Sequence, residues 1–573
     1  MPSNKVWKIK PLSPLASKLA LETGLSLLQA QLLVNRGISD KESAMSFLCL
    51  RLADIVDPML LKGMGDALTL ILDAVESRDK VTIFGDYDAD GLTATALLYN
   101  FFSNLGLPVS YYIPDRLEEG YGLNKNAIKK ISGEGARLII TVDCGSSNKQ
   151  EIAFANSLGM KVVVTDHHQL MDSSQPDCPV INPHQSGCLF PFKDLAGVGV
   201  AFYLAVAIRA CLREKGWFKT RTEPDLKEYL DFVALGTVAD RVSLLGQNRI
   251  LVNSGMEIMA GTRWAGMKAM KEVADIRDSE IGAEDLAFRL APRLNAPGRI
   301  GDPDLGIQVL TTKEPVTAKN LALRINTVNG QRQEIEWNIF DQIENTIETM
   351  GGIGDRRTLV LGSEDWHKGV LGIVASKLVD KYYRPTLVYS VQDGLAVGSG
   401  RSIDGFNLFR ALSRFSYLFK KFGGHAHAAG FTLKADKIKD LERELEAFAR
   451  EILSDENLVP AIDVDAVLPL QDLTPEIVHQ IRSLSPFGQG NPEPIFMARF
   501  LDVLESRVIG ERHLKLRVRQ KGEGRVFGAI GFGLSDEHPL EGKTVDMVFT
   551  PEINRWKGYE SIQLRVVDLR DRE

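Results

Sequence analysis

The sequence predicts a multidomain α/β protein: a parallel-sheet domain, a long connector helix, a second α/β domain and a C-terminal β-barrel. Three observations predict it. Between 80 and 185, apolar runs of four or five residues alternate with helical patterns, the rhythm of an open parallel sheet covered by helices. From Ala318 to Ile347 a polar helical pattern runs with one glycine, Gly330, and separates two α/β stretches. After 457, short strand patterns alternate with turns. The 573 residues, 44% hydrophobic and 25% charged, suit several ordinary globular cores.

Composition narrows the function classes. No apolar run approaches the ~20 residues of a membrane span. The opening MPSNKVWKIKPLSP lacks the apolar centre of a signal peptide. A soluble, cytoplasmic protein is expected. The five cysteines form no CxxC pair and read as reduced thiols. Cys178 and Cys188 flank His184, but their spacing fits no common zinc pattern. The net charge of −7 does not advertise a nucleic-acid binder, nor exclude one, since basic patches can be local.

Taken in order, residues 1–60 read as an N-terminal region of short helices, with Leu25, Leu28 and Leu32 at helical spacing and a second apolar segment over Ser43 to Leu50. The parallel-sheet domain is placed at 61–313. Its strands are expected at Val81–Phe84, Val109–Ile113, Leu138–Val142 and Lys161–Thr165. Helical connectors are expected at Gly91–Leu105, Lys125–Ile131 and Ser147–Leu158. Polar residues fall where these strands end: Asp86, Asp88 and Asp90 after the first, Asp143 after the third, and Asp166, His167 and His168 after the fourth. Ligands of open α/β sheets bind beyond the carboxyl ends of the strands. Clustered carboxylates repel one another, and a hard divalent cation is the simplest neutraliser. The run Asp86-Tyr87-Asp88-Ala89-Asp90-Gly91 also matches half an EF-hand loop. That reading fails because Leu97 stands where a bidentate glutamate belongs and a strand precedes the loop. His167 and His168, if extended, point to opposite sides, so at most one easily joins its neighbours.

Farther on, Leu195 to Phe202 opens a long apolar helix, and Asp240 follows the helical run Tyr229–Leu235. Arg293 to Arg299 reads as a loop with two arginines, whose forks suit phosphate. The connector helix is placed at 314–350 and the second α/β domain at 351–456. In that domain, strands are expected at Arg357–Leu361 and Thr386–Tyr389 and a helix at Gly369–Lys381. Gly398 to Ser402 and Gly423 to Gly430 read as glycine-rich loops that bring backbone N–H groups to an anion. In the last domain, 457–573, Leu514 to Arg519 alternates strictly. Leu514, Leu516 and Val518 form one face and Lys515, Arg517 and Arg519 the other, with Arg512 and Lys521 nearby. A small barrel with one basic face suits a single-stranded backbone, as OB-folds do, though a merely solvated face has the same periodicity.

These residues together resemble the DHH phosphoesterase superfamily, and within it the branch of single-strand-specific exonucleases. The resemblance rests on FGDYDADG at 84–91, TVDCG at 141–145, TDHH at 165–168 and GTVAD at 236–240. It continues through LAGVGVAF, RLNAPGR, WHKGVLGIVASKL at 366–378, GSGRS and FGGHAHAAG, in order over nearly the whole chain. It implies a DHH catalytic domain, a DHH-associated nucleic-acid-binding domain and an OB-fold. It also implies two divalent metals, Mn2+ or Mg2+, held by Asp86, Asp88, Asp90, Asp143, His167 and Asp240. Asp143 would bridge the pair, and Asp143, His168 and Asp86 would be catalytic. Arg116, Asn295, Arg299, Ser399, Arg401 and His425 would bind substrate, Ser399 and Arg401 at the 5′-terminal phosphate.

The implied activity is 5′→3′ hydrolysis of single-stranded DNA to 5′-mononucleotides, in repair and recombination. The implied partners are single-stranded DNA, single-strand-binding protein and a helicase, with no membrane and a monomeric protein. The sequence departs from the family pattern at Phe84, where some members carry histidine, at Cys144, where asparagine is expected, and at Arg241 and Ser243. The alternatives are a short-oligonucleotide or cyclic-dinucleotide phosphodiesterase, which lacks the barrel, and a non-catalytic DNA-binding scaffold, which would lack metal carboxylates.

Overall fold

The computed structural model describes residues 5–116, 118–170, 176–277, 281–556 and 559–572. The chain divides into two compact units. One comprises Cys49–Gln333 with Pro486–Pro492, the other Met1–Leu48, Glu334–Ser485 and Glu493–Glu573.

The first unit is built on a five-stranded sheet of β1 (Val81–Phe84), β2 (Val109–Tyr112), β3 (Leu138–Val142), β4 (Lys161–Thr165) and β5 (Val180–Ile181), in the order β2-β1-β3-β4-β5. Every neighbouring pair is parallel. The strands are apolar almost throughout because both faces are covered. Val81, Ile83, Leu138, Ile140, Val142 and Val163 enter one core, while Phe84, Ile139, Val162 and Val164 enter the other. The short edge strand β5 carries no periodic signal of its own and was not expected. The first core is packed by α1 (Ala89–Asn104), α2 (Gly197–Glu214) and α3 (Leu230–Ala239). Helix α1 starts two residues before the predicted Gly91 because Asp88 caps it: its Oδ1 accepts from the N–H groups of Asp90 (3.0 Å) and Gly91 (3.1 Å).

Arg293 to Arg299 is helical, not a loop: helices span Ala291–Asn295 and Pro297–Ile300. Each proline stands in a first turn, where its missing N–H costs nothing. The connector helix α4 runs Pro315–Thr349.

In the second unit, β6 (Leu359–Ser363), β7 (Thr386–Gln392), β8 (Leu395–Arg401), β9 (Phe419–Gly424) and β10 (Ala428–Lys434) form one sheet, ordered β9-β10-β8-β7-β6. Only the pair β6 and β7 is parallel. The two expected glycine-rich loops are therefore mostly strand. The glycines serve packing: a Cβ on Gly398 would collide with the Phe431 ring, and one on Gly400 would meet Leu387 and Leu408. The last domain is a closed barrel of β11 (Phe496–Ile509), β12 (His513–Gln520), β13 (Val526–Gly531), β14 (Thr544–Trp556) and β15 (Tyr559–Asp571). Strand β11 pairs with both β12 and β14, which removes the free edges. Leu514, Leu516 and Val518 are buried, as their alternation predicts. On the opposite face Arg517 pairs with Glu505 (2.6 Å) and Arg519 with Asp502 (3.6 Å), so part of the predicted basic face is neutralised. The N-terminal segment holds helices at Pro14–Thr23, Leu27–Val34 and Lys41–Leu48. It also holds an unexpected strand, Val6–Ile9, parallel to Ala461–Val464.

Candidate metal centre

Three strand ends of the parallel sheet deliver the acidic and imidazole groups to one edge. Beyond β1, Asp86 is buried and its Oδ1 has no hydrogen-bond partner. Burial, with Asp88 beside it, pushes its carboxyl well above the usual range. Asp90 lies inside the first turn of α1. Its Oδ2 accepts from the Gly197 N–H (2.6 Å) and its Oδ1 from the Val198 N–H (2.9 Å), so the N-terminus of α2 grips this carboxylate. Burial and the Asp88 charge outweigh those bonds, and Asp90 is pushed up to about 7.

Beyond β3 stands Asp143, with a left-handed backbone at φ 61°. Aspartate is among the few side chains that tolerate this region. The turn aims a buried carboxylate back across the sheet edge. Its Oδ1 is unpartnered, and burial, then the charges of Asp90, Asp88, Asp240 and Asp86, hold it well above the usual range. Gly197 must be glycine for this approach: a Cβ there would sit 2.7 Å from that of Asp143.

Beyond β4 the chain leaves the extended conformation at Asp166, and both histidines turn to the same side. Their ring centroids are 4.6 Å apart. This corrects the expectation that at most one joins the cluster, since strand alternation ends with the strand at Thr165. His167 Nε2 lies 3.1 Å from Asp143 Oδ1, 3.5 Å from Asp240 Oδ2 and 3.9 Å from Asp90 Oδ2. Burial and neighbouring His168 lower its pKa to about 4, so the ring is neutral. His168 differs. Burial would lower its pKa, but Nδ1 lies 2.9 Å from Asp166 Oδ1, and that bond and charge raise it instead. Asp166 in turn is held below the usual range: burial opposes, but His168 and the Ser146 N–H prevail. Asp240 caps the end of α3; burial and the charges of Asp90 and Asp88 push it up to about 9.

Among the described residues, three groups bring ligand atoms within 4.8 Å of one another: Asp86, Asp88 and Asp143; Asp90, His167 and Asp240; and Asp143, His167 and His168. Asp86 Oδ1, Asp143 Oδ1, His167 Nε2 and Asp240 Oδ2 are buried without a hydrogen bond. Buried polar atoms are nearly always satisfied. Four orphans spread over these adjoining groups, three of them carboxylate oxygens, fit hard divalent cations. Phe84 contributes nothing here. It stacks on Tyr112 (5.4 Å between centroids) in the opposite core, and from that strand end it is Asp86 that groups with Asp88 and Asp143.

The remaining predicted residues scatter. Arg116 lies over the Tyr87 ring (5.2 Å), and the Arg299 charge also acts on Tyr87, so both cations flank the acidic loop. Asn295 accepts from the Ala89 N–H (2.7 Å). Its oxygen therefore holds the start of α1, and its amide NH2 remains as the donor for the substrate role. Ser399, Arg401 and His425 belong to the other compact unit. There Arg401 donates to Ser399 Oγ (3.1 Å), and both flank Gly372 in the first turn of the helix Leu371–Tyr382. His425 is exposed in the turn after β9, and β10 brings Ala428 opposite Arg401.

Sequence reasoning missed Tyr121, whose hydroxyl donates to the Asp143 carbonyl (2.9 Å) and lies 3.1 Å from His168 Nδ1. It missed Asn182, which donates to the His168 carbonyl (3.0 Å). Both come from irregular segments, where no periodicity marks a residue.

Residues 80–237 match the DHH family, N-terminal domain, 355–451 the DHHA1 domain, and 464–568 the RecJ OB domain. The chain is 37% identical over 571 residues to the single-stranded-DNA-specific exonuclease RecJ of Bacillus subtilis (strain 168), across 98% of this chain and 70% of that protein. It is similar to the crystal structure of RecJ from Thermus thermophilus in complex with Mn2+, with a TM-score of 0.82 and 28% identity, covering 100% of this chain and 80% of that one. The Mg2+ complex from the same organism matches with a TM-score of 0.77 and 28% identity, over 100% and 79% of the two chains.

Proposed function

Because the chain belongs to the RecJ family of single-stranded-DNA-specific exonucleases, we propose that it hydrolyses single-stranded DNA from the 5′ end and releases 5′-mononucleotides. The observation that carries this reading is the set of three ligand groups, two of which share Asp143. Asp86, Asp88 and Asp143 would hold one divalent cation, Mn2+ or Mg2+. Asp90, His167 and Asp240 would hold the second, with Asp143 between them. Bound there, two such ions stabilise the attacking and leaving oxygens of a phosphodiester and supply a nucleophilic water near neutral pH.

The chain's own groups do the rest. His167 is neutral, so its Nε2 lone pair is available without competition from a proton. Asp166 fixes the Nδ1–H of His168. That leaves Nε2 to meet a phosphate oxygen, and the raised pKa favours the charged ring that would donate there. Arg116 and Arg299, both near Tyr87, bind backbone phosphate near the scissile bond. Ser399 and Arg401 receive the 5′-terminal phosphate, His425 binds substrate, and the closed barrel binds the strand beyond. The same reading makes the protein a cytoplasmic monomer of DNA repair and recombination, working with single-strand-binding protein and a helicase. Among the described residues no helix is long and apolar enough to cross a membrane.

The test uses 5′- and 3′-labelled single strands and blunt duplexes with Mn2+ or Mg2+. Mononucleotides released from the 5′ end of single strands are expected. Release from the 3′ end, equal attack on duplex, or no hydrolysis with either ion would reject the reading.

A further inference from the structure

Strand β3 ends at Val142, and the left-handed turn at Asp143 takes the next peptide out of the sheet. The carbonyl of this buried residue therefore needs a donor from elsewhere. The Tyr121 hydroxyl supplies it, at 2.9 Å. Among the described residues no other group donates to that carbonyl. The same phenol oxygen lies 3.1 Å from His168 Nδ1, and the two rings meet edge to face with centroids 5.5 Å apart. One side chain thus touches both the turn that carries the shared carboxylate and the ring that follows β4.

The single phenol proton decides both contacts. Burial, then the charges of Asp166 and Asp143, hold the Tyr121 phenol far above its usual pKa, so it keeps its proton and gives it to the carbonyl. Its oxygen then offers only lone pairs to His168, which suits an Nδ1–H. Asp166 Oδ1, 2.9 Å from the same nitrogen, makes the same demand. Tyr121 is itself braced from both sides. Gly120 and Gly122 flank it with φ of 80° and 83°, and a Cβ on Gly122 would sit 2.6 Å from Asn148 Oδ1. Asn148 bonds the Leu123 N–H (3.3 Å) and carbonyl (3.2 Å). Before the turn, Glu119 accepts from the Tyr112 hydroxyl (2.9 Å), the Asn124 amide (3.1 Å) and the Asp115 N–H (2.8 Å). Groups that orient metal ligands need this kind of fixed support.

We propose that Tyr121 is a positioning residue of the metal centre: its hydroxyl fixes the turn that aims the Asp143 carboxylate between the two ligand groups, and its oxygen holds the His168 ring. The proposal rests on the two-metal exonuclease reading and adds to it a residue that is itself no ligand. Such a residue acts on metal binding and turnover and leaves the binding of the strand alone.

The experiment compares the full chain with Tyr121→Phe, which keeps the ring against His168 and removes only the hydroxyl. Mn2+ binding without DNA is followed through the spin-resonance signal of the free ion, and melting is measured in chelator. Hydrolysis of a 5′-phosphorylated oligothymidylate is measured at saturating Mn2+. Tyr121→Phe is expected to weaken Mn2+ binding by about 10- to 100-fold, as the loss of a partner behind a metal ligand does. It should lower kcat while KM and the melting temperature in chelator stay as in the parent. Mn2+ binding equal to the parent's overturns the proposal, as does a loss that merely tracks a lowered melting temperature. A raised KM with kcat and Mn2+ binding intact makes Tyr121 a substrate contact and overturns it too. A parent that binds Mn2+ but cleaves no single strand rejects the exonuclease reading, and the Mn2+ affinity of Tyr121→Phe still decides the role of Tyr121.

Discussion

Asp143 links the two ligand groups: it belongs to that of the acidic loop and lies 3.1 Å from His167 in the other. Its position is unfavourable in every respect except chemistry. It is buried, unpartnered, ringed by four other carboxylates and left-handed in its backbone. Such a residue sacrifices stability for function. Replacing it with asparagine separates the two. Asparagine accepts the left-handed backbone and removes the charge. Asp143→Asn is therefore expected to raise the metal-free protein's stability to urea by about 1–3 kcal/mol. Its hydrolysis should fall by about two to three orders of magnitude or more, as when a group that stabilises transition-state charge is removed. Lower stability in chelator would show that the carboxylate is not under electrostatic stress.

At the scale of elements, strands were the most legible feature. The runs Val81–Phe84, Leu138–Val142 and Lys161–Thr165 are apolar because both faces of the sheet are covered, and their ends located the acidic cluster. Glycine was the least legible. Gly398, Gly400 and Gly424 look like turn residues, yet they lie in strands where a neighbour's side chain or backbone takes the room of a Cβ. The two histidines show the same limit: periodicity predicts side-chain direction only while the strand lasts. Tyr121 and Asn182 had no pattern to betray them.

The barrel shows what alternation alone leaves open. Of its predicted basic face, Arg517 and Arg519 are paired with acids, whereas Lys515 stands directly opposite Arg507 in register. Like charges facing across strands destabilise the pair, and a phosphate would relieve it. Arg507→Ala with Lys515→Ala should weaken single-strand binding. It should also make log K against log salt less steep by about 1.4, two contacts at roughly 0.7 each. An unchanged slope would remove this pair from the strand's path.

For the whole molecule, the metal centre sets the pH at which the fold is most secure. Asp90 at about 7 and Asp240 at about 9 lie above their unfolded values. Their contribution is present at low pH and lost as pH rises through those values. His167 at about 4 lies below its unfolded value, so its contribution is lost only as pH falls from about 6.5. In chelator, the melting temperature should therefore fall between pH 6.5 and 9.5. Mn2+ should reverse the trend, because ligands must shed protons to bind it and do so more readily at higher pH. Scanning calorimetry with and without Mn2+ measures this; a metal-free protein that gains stability over that range would contradict it.

The strand Val6–Ile9 carries a last consequence, one that concerns time. It pairs with Ala461–Val464, and the Trp7 indole donates to Asp568 (2.7 Å), 561 residues away. On a ribosome adding about 5–20 residues per second, the partner strand emerges roughly 20 to 90 seconds after Trp7, and Asp568 later still. Throughout that interval a segment with Val6 and Ile9 and unpaired backbone groups waits in the open. The beginning of this chain is among the last parts of it to fold.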